Sequence, residues 1–150
     1  MAEIAPGMFV DDWNGGLTHA PESSFREFVL GGEEDSDAPR VYYARIEANQ
    51  SGPRHAHAGW TINVVLQGNC SMGDVDLNPG QVLTCAPNIQ YGPLLPGPDG
   101  VTLLEIFDSA LARRPIWDDP ESPDAKAYEA WLIDDQGDWS AASLEAKTAR

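Results

Sequence analysis

From Trp60 to Gln67 the sequence WTINVVLQ alternates apolar and polar residues with Val65 as the one exception, and a period of two is the pattern of a β-strand. A strand sends successive side chains to opposite faces, so Trp60, Ile62, Val64 and Leu66 share one face and Thr61, Asn63, Val65 and Gln67 the other. His55 and His57, two of the chain's three histidines, join the odd-numbered face if the chain stays extended through Ala58 and Gly59. One face is then wholly apolar, while the other gathers two imidazoles, a hydroxyl and carboxamides. Two arrangements satisfy such a strand. In one the odd face lines a pocket and a partner covers the even face. In the other the sheet is turned over, the even face is core and the histidines meet solvent. A single strand does not choose between them.

The rest of the chain repeats the strand theme. With 150 residues, 42% of them hydrophobic, one domain with a proper core is expected. The runs FREFVL, RVYYARIEA, VDL, QVLTCA and VTLLEIF are separated by the turn signals GGEEDSDAP, NQSGP, GNCSMGD, NPG and PGPDG. They predict an all-β body over 25–108. Residues 1–24 lack a sustained period and read as an N-terminal arm containing Trp13 and His19, the latter as a surface histidine. Residues 109–150 form a C-terminal extension with a short helix. Ser122 or Asp124 is its start, and Tyr128, Trp131 and Leu132 form a stripe that packs on the body or a second subunit. The acidic tail beyond Asp138 reads as loose.

A formal charge of −15 and a pI near 4.2, with no Lys/Arg cluster, exclude nucleic acid and anionic membrane surfaces as expected partners. No apolar run reaches the length of a spanning helix, and MAEIAPGMFVDDW lacks the features of a signal peptide, so a cytoplasmic location is expected. Cys70 and Cys85 each fall in a strand-like run and read as buried free thiols.

The stretch from Arg40 to Asp108 resembles the cupin superfamily. The first cupin motif is H-x-H, three or four residues, Glu, six residues, Gly. His55, His57 and Gly68 keep that spacing, with Thr61 where the glutamate would stand. The second motif, G-D-x-x-x-x-P-x-N-x-x-H, runs along GQVLTCAPNIQY: Gly80 opens it, Asn88 matches in its turn with Pro87 one position after the motif's proline, and Tyr91 replaces its last histidine. The resemblance implies a jelly-roll β-barrel, usually dimeric, with a central metal site. Carried over residue by residue, it leaves His55 and His57 and loses two ligands to Thr61 and Tyr91.

Two imidazoles on one pleat suit a divalent metal, zinc or iron first and nickel or copper next, and a Tyr91 phenolate could supply a third ligand. Thr61 would be a poor ligand. Asn63 and Gln67 could bind substrate or orient an imidazole, while Arg54 reads as a surface or interface charge. The expected function is a metal-dependent enzyme acting on a small organic, aromatic or carbonyl-containing substrate by oxygenation, lyase or cyclisation and isomerisation chemistry. Tyr91 and Asn63 are its expected catalytic residues. A metal-free pocket using His/Tyr acid-base chemistry, or simple ligand binding, is the alternative. The even face is the expected homodimer interface.

Overall fold

In the computed structural model, residues 2–6, 8–10, 18–19, 23–29, 38–110 and 112–135 are described. Trp13 and the tail beyond Asp138 lie outside them, as do the side chains of His19 and Leu132. The strands in chain order are β1 (Ala2–Ala5), β2 (Met8–Val10), β3 (Thr18–His19), β4 (Ser24–Val29), β5 (Arg40–Ile46), β6 (His55–Ala56), β7 (Thr61–Met72), β8 (Val75–Leu77), β9 (Val82–Cys85), β10 (Leu94–Phe107) and β11 (Ile116–Trp117). Helix α1 (Pro123–Asp135) follows. The main antiparallel sheet runs β3-β4-β5-β10-β7-β8, with β9 also paired to β7; β1-β2 and β6-β11 are separate two-stranded ladders. This is an all-β jelly-roll plan, but the sheet is not a closed barrel. No described helix is long and apolar enough to cross a membrane.

Turn chemistry accounts for the strand ends. In Asn78-Pro79-Gly80-Gln81 the Gln81 amide donates to the Asn78 carbonyl at 3.0 Å and Gly80 takes φ 86°. Proline followed by a residue with positive φ is the pattern of a type II turn, and glycine meets that demand without a Cβ penalty. Gly73 and Asp74 make the two-residue connection between Met72 and Val75, which pair across β7 and β8.

The alternation of β7 has a physical outcome. Thr61, Asn63 and Val65 are each 1% exposed, while Trp60 and Leu66 are exposed and Ile62 and Val64 half-buried. The odd face is therefore the inside. The pattern breaks at Leu66, because Leu103 pairs with Val65 but the next residue, Thr102, pairs with Gln67. This bulge inserts one residue and reverses the parity, so that Cys70 and Met72 point inward instead. Gly68, at φ 71°, lies so close to the Gly100 carbonyl that a Cβ would collide with it. Gln67 is exposed, which corrects its expected place on the pocket face: simple alternation fails across an inserted residue.

The inward side chains pack as one core. Phe25 stacks on Tyr42 at 4.9 Å, Tyr42 meets Phe107 edge-on at 5.4 Å, and Trp131 of α1 meets Phe25 edge-on at 5.8 Å. Of the adjacent tyrosines, Tyr42 is buried and Tyr43 half-buried. The helix starts at Ser122, whose Oγ accepts the Ala125 amide at 3.2 Å ahead of Pro123 in the first helical position. Its Tyr128–Trp131 edge packs on the body.

Candidate functional site

His55 owes its position to two strands. Its backbone exchanges both hydrogen bonds with Tyr91, at 3.1 and 2.9 Å, and Trp117 is its partner across the β6-β11 ladder. Directly opposed residues in an antiparallel pair present side chains on the same face, so the His55 and Tyr91 rings stand 4.8 Å apart. His57 lies beyond the end of β6, with its ring 4.9 Å from that of His55 and nearly perpendicular to it.

The protonation of both imidazoles follows from their partners. His55 Nδ1 is 2.6 Å from the Pro53 carbonyl oxygen and His57 Nδ1 is 3.2 Å from that of Arg114. A carbonyl only accepts, so each Nδ1 carries the hydrogen and each neutral ring keeps its lone pair on Nε2. Burial drives the His57 pKa down to about 3, helped by the neighbouring His55, and burial also lowers that of His55. Both rings are therefore neutral at pH 7. His57 Nε2 is buried without a hydrogen-bond partner.

On the other side of the site, Asn63 of β7 and Glu105 of β10 are cross-strand partners. The Tyr91 hydroxyl donates to Glu105 Oε1 at 3.3 Å. The Asn63 carboxamide lies beside the Tyr91 oxygen, and its buried Nδ2 completes no hydrogen bond in this geometry. Burial pushes the Glu105 carboxyl up to about 7, against the lowering effect of the Tyr91 hydrogen bond. Burial also holds the Tyr91 phenol well above its ordinary range, with the Glu105 charge adding to it, so Tyr91 is neutral.

These five groups line a cavity of about 80 Å³ whose walls also include Phe25, Tyr42, Met72, Leu94, Leu103 and Phe107. Ser23 and Arg113 also reach its lining. At roughly 10–15 Å³ for each water, that is space for about six waters. Apolar walls with a few polar groups among them are the usual form of a small-molecule site.

The structure thus brings together His55, His57, Asn63 and Tyr91, all expected from the sequence. It also adds Glu105, which sequence reasoning missed. The signal was present: in VTLLEIF, Val101, Leu103 and Phe107 form an apolar face, and Glu105 is the one charge on it. Thr61 is buried beneath the site as a neutral hydroxyl. Arg54 is exposed and faces Asp118 at 3.7 Å, in keeping with a surface charge.

The donors that His55 and His57 could offer a divalent metal are their Nε2 lone pairs, two of the three protein ligands usual in a catalytic site. Among the described residues no three His, Cys, Asp or Glu side chains already converge at ligating distance. Further ligands would have to come from Tyr91 or the substrate.

No family model and no curated protein matches the sequence. Solved structures do. The polyketide cyclase RemF of Streptomyces resistomycificus superposes with a TM-score of 0.63 at 17% identity, covering 82% of this chain and 93% of the cyclase. An RmlC-like cupin protein of Ralstonia eutropha gives 0.50 at 16% identity, covering 62% of this chain and 64% of that one. Salicylate 1,2-dioxygenase of Pseudoaminobacter salicylatoxidans, crystallised with gentisate, gives 0.50 at 18%, covering 61% of this chain and 26% of the dioxygenase. The chain therefore spans less than two thirds of these last two. At such identities the likeness speaks for the fold alone, and these superpositions make this chain a cupin-fold protein.

Proposed function

We propose that this protein is an enzyme that shifts a proton within a small, largely apolar carbonyl compound, in an isomerisation, lyase or cyclisation reaction. We further propose that His55 and His57 hold a divalent metal, zinc or iron, in the cavity. One observation carries this reading. Two neutral imidazoles, each pinned through Nδ1 to a backbone carbonyl, stand opposite a hydrogen-bonded Tyr91–Glu105 pair whose carboxyl has a pKa near neutrality.

The metal, when bound, would polarise a substrate carbonyl and make the neighbouring C–H more acidic. The protein's own groups then move the proton. Glu105, as carboxylate, takes it from carbon, and the buried Asn63 Nδ2 donates a hydrogen bond to the oxygen where charge collects. Neutral Tyr91 gives its hydroxyl proton to the substrate at a second position. Glu105 returns the first proton to Tyr91 along their hydrogen bond, so the groups end as they began. The apolar walls keep bulk water from intercepting the charged species.

The absence, among the described residues, of three converging metal-ligating side chains favours a second reading: the Tyr91–Glu105 pair works without metal, or the pocket only binds its ligand. One experiment separates these. Untagged protein purified without chelator is assayed for metals by elemental mass spectrometry and for deuterium exchange into single-ring carbonyl compounds, beside His55→Ala and Tyr91→Phe. Stoichiometric metal lost in His55→Ala, with exchange lost in Tyr91→Phe, is the expected result. Exchange without metal selects the metal-free enzyme, and neither exchange nor metal overturns the proposal.

The exposed outer side chains Trp60, Leu66 and Val82, next to half-buried Ile62 and Val64, support pairing with a second copy through the outer sheet face. Free, buried Cys70 and Cys85 support a reducing, cytoplasmic setting.

A further inference from the structure

We infer that Glu129 of α1 is a positioning residue for the imidazole pair, acting through the strap of residues 112–118; its bearing on metal rests on the reading above. The Nδ1 of His57 is held by the Arg114 carbonyl, with the Ala112 carbonyl adding to it. Neither residue belongs to a strand or helix. A carbonyl can orient a ring only as firmly as its own segment is held.

Glu129 supplies that hold from another element. Its Oε2 accepts from the Arg114 guanidinium at 3.0 Å, and its Oε1 accepts from Trp117 Nε1 at 2.7 Å. One carboxylate therefore grips both ends of the short stretch from Arg114 to Trp117. The residues at those ends are the ones that touch the two histidines: Arg114 through its carbonyl to His57, and Trp117 through its ring, 5.6 Å from that of His55. Both charges of the Arg114–Glu129 pair are largely withdrawn from water, at 24% and 29% side-chain exposure, so solvent screens them less than a surface pair.

The far end of the strap is tied down separately. Ile116 and Trp117 pair with Ala56 and His55, and the Asp118 amide donates to the Arg54 carbonyl at 3.1 Å. Behind Glu129 the helix is anchored to the core: Tyr128 meets Trp117 at 5.2 Å and Trp131 at 5.4 Å, and Trp131 packs on Phe25. A continuous set of contacts thus runs from core to helix to strap to ring nitrogen. His55 depends on it less, because its own Nδ1 is held by Pro53 on the near side.

The test uses the full chain with Glu129→Ala and Glu129→Gln, nitrogen-resolved NMR of the histidine rings, cobalt(II) titration and a thermal melt. The wild type is expected to show His57 as the Nδ1–H tautomer. Glu129→Ala is expected to give a mixture of tautomers at His57 with a smaller change at His55, and cobalt affinity lower by about tenfold, the lower end of the range for residues behind a metal ligand. Glu129→Gln keeps an acceptor for Trp117 but loses the charge on Arg114, and a loss smaller than that of Glu129→Ala is expected. If the His57 tautomer and the cobalt affinity are unchanged in both variants, even where melting falls, the inference is overturned. If the wild type takes up no cobalt, the metal reading fails, while the tautomer comparison still decides the role of Glu129. Should Glu129→Ala not fold, Glu129→Gln decides alone.

Discussion

Asn63 and Glu105 project from β7 and β10, strands of 12 and 14 residues paired to each other along most of their length. His55 stands on β6, a two-residue strand flanked by the equally short β11 and a single bridge to Tyr91, and His57 lies just beyond it. On the sheet side, backbone ladders set the side-chain positions, so Asn63 and Glu105 are placed before any side chain forms a bond. On the loop side the imidazoles are aimed by hydrogen bonds to backbone carbonyls. Under the proposed function the proton-transfer groups Asn63 and Glu105 stand on the paired strands and the metal-binding imidazoles on a strapped loop, so the two halves of the site are expected to fail separately.

That separation can be broken by substitution. Glu105→Gln removes the base but leaves both ladders intact, and proton exchange is expected to fall by about 100-fold or more, while metal content stays at wild-type level. His57→Ala is expected to do the reverse on the metal axis, abolishing stoichiometric metal in elemental analysis, whereas Asn63→Ala retains it. If Glu105→Gln or Asn63→Ala also strips the metal from a folded, metal-supplemented protein, the halves are coupled and the comparison is wrong.

The sheet side also carries a pH signature. The Glu105 carboxyl is raised from 4.5 to about 7 in the folded chain, so the folded state holds a proton that the unfolded state has released. Stability from this group is fully present below about pH 4.5 and is lost as pH rises through about 7. A shift of that size corresponds to roughly 3 kcal/mol. Denaturant titrations of metal-free protein from pH 5 to 8 are expected to show this loss in the wild type and a flatter profile in Glu105→Gln. An unchanged slope would remove Glu105 as the titrating group.

The outer face offers the mildest perturbation. Trp60→Glu places a charge on the exposed apolar surface without touching the cavity lining. It is expected to convert a dimer to a monomer in light scattering, with melting and metal content close to wild type. A wild-type monomer would rule out that face as the pairing surface.

How far the site was legible depends on the range of the signal. His55, His57 and Tyr91 were read from motif spacing, and Asn63 from the alternation of β7, because a strand's side-chain parity is a local property. Gln67 was misplaced because the Leu66 bulge belongs to a pair of strands: it shows in the shifted register against Leu103 and Thr102, not in β7 alone. The helix start at Ser122 was legible for the same local reason as the NPG turn.

Sequence by itself determined the strand-and-turn plan, the inward face of β7 as one of two alternatives, and the identity of the imidazoles. Only the tertiary structure decided which alternative holds, by burying Thr61, Asn63 and Val65 and leaving Trp60 outside. It also joined Glu105 to Tyr91, 14 residues apart, and brought the Arg114 carbonyl to His57 across 57 residues. Periodicity is fixed by the backbone geometry of neighbouring residues, whereas hydrogen bonds between distant segments exist only after the chain has closed around a common core.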